Sequence, residues 1–339
     1  MVARIKSSLR ATASAIRSIR AALLGFIVGL KRISTVFAHG GQTLKHGLAE
    51  TRLGRSNPVR LIARVVQEMG EDDATHMAAS VSYYTVLSIF PLVIALSAIV
   101  GWLAGSESRQ DEVVEYVVDF LPGSEQFVRD SIEGAERFKE TLGAVAVLGL
   151  MWSASAIFGS ITVVVNRAWD IRENLPFYKN KPRQLAMALG VGMLFALSLG
   201  ITGFMQWATA IEIGNRSASD LLGGDVFTIV LRIPAALISF SIFLLIYKFL
   251  PNTKTYWKYV WMGAAVAAIL FEASKNLFLY YLSNIAEFDQ LYGNVASVIT
   301  LMVWAYVCAI ILILGAELAS EYGRMKMGVA RGEPLKLSR

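Results

Sequence analysis

Glu272, Lys275 and Asn276 lie inside the apolar stretch Trp257 to Leu282, which is about as long as one bilayer crossing. Their i, i+3, i+4 spacing places all three on one face of a helix. Such a helix reaches roughly 39 Å at about 1.5 Å per residue, against a hydrocarbon core of about 30 Å. An unpaired charge inside it costs from about 2.5 to more than 10 kcal/mol, so Glu272 and Lys275 are expected to face protein, water or one another. Arg232 falls at a comparable depth in the preceding apolar stretch, and Pro234 beside it can free a backbone carbonyl. Arg232, Glu272 and Lys275 together carry one net positive charge. With Asn276 they form a candidate substrate-binding site for an anionic or amphiphilic solute. The competing reading stays open, in which the same residues form an internal ion network that locks helices together and takes no ligand.

Little else in the chain suggests chemistry. There is no G-x-S-x-G elbow, P-loop, H-E-x-x-H or paired-cysteine motif, so no enzyme and no cofactor are expected. Cys308 is the single cysteine and lies in an apolar run. Asp72 and His76, four residues apart, are the one weak metal candidate, within the acidic group Glu68, Glu71, Asp72 and Asp73. Capping of the following helix by Asp73 accounts for that group more simply.

The elements that hold these residues are legible from hydropathy. Hydrophobic residues make up 55% of the 339, charged residues 17%, and mean hydropathy is +0.51, which predicts an all-α polytopic membrane protein. Six spans are expected, at about 79–104, 142–165, 185–210, 226–249, 257–282 and 295–318. Pro91 lies inside the first and predicts a kink. Gly192, Ala196 and Gly200 in the third form a small-residue stripe suited to close helix packing. Residues 1–57 form a basic amphipathic extension and linker, expected to lie on anionic lipid headgroups; a signal peptide and self-association into oligomers are the competing readings. Pro58 to Met69 read as a short helix along the membrane surface, 106–141 as an outer helical hairpin, 58–322 as the membrane domain and 323–339 as a tail.

Charge fixes the orientation. Lys plus Arg number 12 in residues 1–80, 4 in 104–142, 5 in 166–184, 1 in 211–225, 3 in 248–258, none in 283–294 and 5 after Leu318. That alternation predicts cytoplasmic termini in an inner membrane and removes the need to invoke nucleic acid for the net charge of +6. Asn166, Arg167, Trp169 and Asp170 close the second span and read first as interfacial anchors, second as a headgroup gate.

Three stretches together resemble the YihY/BrkB family of bacterial inner-membrane proteins, once labelled ribonuclease BN: EDDATHMAASVSYYTVLSIFPLV, WSASAIFGSITVVVNRAWDIRE and YGNVASVITLMVWAYVCAIILILGAELASE. The resemblance implies a six-span inner-membrane protein. It covers Pro58 to Tyr322, and the residues matching its motifs are Asp72, Asp73, Tyr83, Tyr84, Pro91, Asn166, Trp169, Tyr292, Gly293 and Glu317. Tyr83, Tyr84, Pro91, Pro234, Asn166 and Trp169 are the candidates for a kink or gate. The leading expectation is a transporter or lipid translocase. A structural or scaffolding membrane protein is the alternative, and a membrane-tethered nuclease the third, disfavoured because the sequence lacks the His and Asp clusters that would hold its metals.

Overall fold

The computed structural model describes residues 57–104, 143–171, 176–209, 224–284 and 296–329. Its ordered elements are seven helices among the described residues, with no strand: α1 (Asn57–Glu71), α2 (Ala74–Ala104), α3 (Gly143–Ala168), α4 (Phe177–Thr209), α5 (Gly224–Phe249), α6 (Trp257–Asn284) and α7 (Ala296–Met327). The extension before residue 57, the expected hairpin at 106–141 and the last ten residues lie outside the described part.

Helices α2–α7 fall on the six apolar stretches, with three boundaries that differ, α2 beginning at Ala74 rather than near 79. α4 begins at Phe177 rather than near 185, so Lys179, Lys181 and Arg183 are helical and Pro182 sits inside the helix. Pro182 lies in the second turn, where it removes one backbone hydrogen bond without ending the helix. α7 runs to Met327 rather than ending near 318, and the tail placed at 323–339 begins later. Hydropathy fails at that end because Glu317, Ser320, Glu321 and Arg324 continue the helix while buried in protein, Glu321 and Arg324 in ion pairs. The backbone also stays helical through Pro91 in α2 and Pro234 in α5. Two helices among the described residues, Trp257–Leu282 and Ala296–Met327, are long and apolar enough to cross a membrane by length and composition.

The six long helices pack as a ring in chain order, α2 on α3, then α4, α5, α6, α7 and back to α2. α7 also touches α3 and α5, which makes it the central helix, and its last turns are buried on nearly all sides. α6 and α7 meet at their smallest residues. A Cβ on Gly263 would collide with the Gly315 carbonyl and stand 2.7 Å from the Ala319 Cβ, and one on Gly315 would collide with the Tyr247 hydroxyl and stand 2.8 Å from the Ala267 Cβ. Backbones this close gain dispersion contacts that larger side chains would prevent. Of the stripe expected to do this in α4, Gly192 is exposed, and nothing lies within 4 Å of where its Cβ would be; the packing of Ala196 and Gly200 lies outside what is described. A four-residue repeat of small side chains marks a face but not whether another helix covers it.

Rather than lying free along a surface, α1 rests on α7 through Leu61, Val65 and Met69, all buried. Its amphipathic pattern is thus spent on protein. The chain then turns through Asp72 and Asp73 into α2. The Asp73 carbonyl accepts the first helical N–H groups, from His76 at 2.9 Å and Met77 at 3.1 Å, with its backbone at φ 53°.

Candidate functional site

Two polar sites stand inside the bundle. The first is the one expected from sequence. Glu272, near the middle of α6, pairs with Lys275 at 3.3 Å and accepts a 2.7 Å hydrogen bond from Ser239 of α5. The Glu272 side chain is 25% exposed and the Lys275 side chain 10%, so the pair is only partly enclosed. Asn276 is exposed and donates one N–H to the Glu272 backbone carbonyl at 2.7 Å. The Ser239 contact sets the register of the antiparallel neighbours α5 and α6. Arg232 lies seven residues from Ser239, about 10 Å toward the Gly224 end, whereas Lys275 lies about 4.5 Å from Glu272 in that direction. The Arg232 backbone is therefore more than a helical turn beyond the Glu272–Lys275 level.

The second site, at the other end of α7, is far more buried. Glu317, Ser320, Glu321 and Arg324 recur at i, i+3, i+4 and i+7, one helix face, and each is at most 1% exposed. Arg324 donates through Nη2 to Asp170 Oδ2 and through Nη1 to Glu321 Oε1. Arg64 of α1 reaches the other Glu321 oxygen at 3.4 Å, and Arg167 of α3 bonds Asp72 at 3.0 Å. Glu68 is buried too, and Glu317 sits in the field of Asp72, Glu68 and Asp170, with Arg324 opposing them. Arg64, Arg167 and Arg324 thus engage Glu321, Asp72 and Asp170, with Glu317 and Glu68 close by.

The end of α3 is shaped to deliver Asp170. Ile171 N–H returns to the Asn166 carbonyl at 2.9 Å and Asp170 N–H to the Arg167 carbonyl at 2.8 Å, a helix terminus that puts Asp170 at φ 55°. Glycine would adopt that angle without strain. An aspartate holds it because its carboxylate is needed opposite Arg324. One turn earlier, the Asn166 side-chain oxygen accepts the backbone N–H of Asn252 at 2.8 Å, tying α3 to the α5–α6 connection. Arg183 of α4 fastens the same connection, donating to the Phe249 carbonyl at 2.7 Å, Asn252 Oδ1 at 2.9 Å and the Pro251 carbonyl at 2.6 Å. Four side-chain atoms in this region are buried without a hydrogen-bond partner: Asn166 Nδ2, Asn252 Nδ2, Glu317 Oε1 and Ser320 Oγ.

The remaining expected residues fall as follows. Trp169 is not an interfacial anchor: it is 4% exposed, its ring 6.4 Å from that of fully buried Tyr247, because the chain turns inward after α3. Tyr83 and Tyr84 are exposed on α2 and meet edge to face with centroids 5.5 Å apart. Asp72 is engaged by Arg167 and His76 is exposed; among the described residues no three His, Cys, Asp or Glu are grouped to hold a metal. Ser239, Arg183, Asn252, Glu321 and Arg324 were not singled out by motif. The polar i, i+3, i+4, i+7 series interrupting the end of an apolar helix is the signal that marks the second site.

An all-helical bundle carrying buried ion pairs on helices fit to cross a bilayer defines an integral membrane protein. The family model described as Virulence factor BrkB matches residues 65–337, and the chain belongs to that family. Among its relatives, a UPF0761 membrane protein of Vibrio campbellii is 27% identical over 81% of this chain and 86% of its own length. One from Photobacterium profundum is 29% identical over 78% of this chain and 81% of its own. A Bacillus subtilis protein named ribonuclease-like, YfkH, is 29% identical over 71% of this chain and 87% of its own. No solved structure matches the chain.

Proposed function

We propose that the protein is a translocase of amphiphilic or anionic solutes, lipids foremost, with α2–α7 as six membrane crossings in the bacterial inner membrane and both termini cytoplasmic. The observation that carries this reading is the partial exposure of Glu272 near the middle of an apolar helix. A carboxylate open toward acyl chains is costly unless a polar group meets it. Beside it stand Lys275, Ser239 and exposed Asn276, which together offer an ammonium for a headgroup phosphate and a carboxylate for a headgroup amine. Support for the orientation comes from lysines laid against aromatic rings at the end of the bundle that holds Arg324: Lys179 on Tyr178, Lys248 on Trp257, Lys258 on Tyr259 and Lys326 on Tyr322. Such pairs suit the headgroup region of an anionic leaflet.

The scaffold reading has its own support in the tight α6–α7 contact and the closed ion network around Arg324. The two diverge in vesicles. Purified protein reconstituted with fluorescent phosphatidylglycerol is expected to move label between leaflets faster than protein-free vesicles, and a Glu272→Gln/Lys275→Met double variant to stay folded but slow. Wild-type movement no faster than in empty vesicles, or an equally fast double variant, would leave the scaffold reading standing.

A further inference from the structure

We infer that the joint between the end of α3 and the α5–α6 connection is an oxyanion site for a phosphate group, held by Asn166 Nδ2, Asn252 Nδ2 and the Arg183 guanidinium. Asn252 brings the three together. Its backbone N–H donates to Asn166 Oδ1 at 2.8 Å, and its side-chain Oδ1 accepts from Arg183 Nη1 at 2.9 Å. In each amide the nitrogen shares a carbon with the bonded oxygen, so Asn166 Nδ2 stands beside the Asn252 backbone and Asn252 Nδ2 beside the guanidinium. Neither amide can be turned over, because exchanging oxygen and nitrogen would set donor against donor. Both nitrogens are nonetheless buried without a hydrogen-bond partner, and Asn166 is 1% exposed. Buried polar groups are nearly always bonded, so two open donors on one joint mark a place for an acceptor.

Chemistry selects the occupant. Asn166 and Asn252 have their acceptor oxygens engaged and offer only N–H. Arg183 spends one N–H each from Nε, Nη1 and Nη2 on the Phe249 carbonyl, Asn252 and the Pro251 carbonyl, and keeps a second on each Nη. A donor-only set beside a guanidinium fits an oxyanion, and a tetrahedral phosphate accepts from several directions at once. The surroundings agree in sign. Residues 250–256 hold Lys254 and no acidic residue, and the first two turns of α4 carry Lys179, Lys181 and Arg183 with none. Asp170, one turn beyond Asn166, is paired with Arg324. Both amide nitrogens are covered in this conformation, so the anion enters as the short connection shifts. A lipid headgroup at this end of the bundle, where Lys248 lies on Trp257, and a free phosphate ester present the same chemistry.

The inference concerns this joint and not the solute handled at Glu272, so binding is measured apart from transport. Purified full-length protein in maltoside micelles is titrated with sodium phosphate against sodium chloride at constant pH and ionic strength, and separately with phosphatidic acid against diacylglycerol, reading Tm. At ten times the dissociation constant the occupant is expected to raise Tm by about 2 °C. A rise with phosphatidic acid alone identifies a headgroup site, and a rise with inorganic phosphate one open to soluble anions. Asn252→Asp keeps the oxygen that Arg183 bonds and replaces the open donor by an acceptor, so its Tm without ligand is expected to match or exceed wild type while the rise is lost. Asn166→Asp, which keeps the oxygen bonded by the Asn252 N–H, is expected to lose the rise too. No rise with either titrant, or a wild-type rise in either folded variant, overturns the site. Should one variant fail to fold, the other decides.

Discussion

Asp170 closes α3 and pairs with Arg324 one turn from the end of α7, so the two helix ends are joined through a guanidinium that no solvent reaches. Removing the cation leaves Asp170 and Glu321 without it in a layer already rich in carboxylates. Arg324→Ala is therefore expected to destabilise by about 3 to 5 kcal/mol, the range for one-sided loss of a buried pair. Arg324→Lys should recover only part, since an ammonium cannot fork between two carboxylates on different helices. Thermal unfolding in detergent checks both, and a fall below about 1 kcal/mol for Arg324→Ala would contradict the burial.

A second expectation concerns helix contact. Gly315→Val should lower stability by 1 to 3 kcal/mol or more, about the cost of forcing bulk into a packed site, because the Tyr247 hydroxyl and Ala267 already occupy the space. Gly192→Ala should be neutral or stabilising by up to about 1 kcal/mol, as its surroundings are open and alanine favours helix. Denaturation of the pair side by side would expose an error in the α6–α7 geometry.

Glu272 and Lys275 give a third. Glu272→Gln leaves Lys275 with a neutral neighbour, but because the carboxylate is partly exposed the loss should stay below that of Arg324→Ala, at about 1 to 3 kcal/mol. The double neutral variant should regain most of that stability. A double-mutant cycle with no coupling energy would mean that the two side chains do not act as a pair.

Arg183 supplies the fourth. It donates three hydrogen bonds to the short connection between α5 and α6. Arg183→Ala should free residues 250–252, seen as faster proteolysis or hydrogen exchange confined to that connection. Protection equal to wild type would show that Asn166, and Lys248 through its bond to the Thr255 carbonyl, hold the turn unaided.

The long helices were legible because apolar runs of about twenty residues leave few alternatives, and Glu272 with Lys275 because charge inside such a run is conspicuous. The Arg324 network was less visible. Its members are spread over α1, α3 and α7 at the very ends of apolar runs, where charged residues ordinarily mean solvent. Trp169 shows the same blindness: an aromatic residue at a span boundary reads as an anchor until the turn at Asp170 carries it inward. Gly192 failed for the opposite reason, since small residues at helical spacing carry no information about a neighbour.

The position of α1 has a consequence for biogenesis. Its buried face needs α7, and Arg64 reaches a partner 257 residues further along the chain. At about 5 to 20 residues per second, α1 waits roughly 13 to 50 s after synthesis before that partner exists. The charge layer is thus sealed by α7, the last of the described helices, and until it is made Leu61, Val65, Met69 and Glu68 lack the surface that buries them.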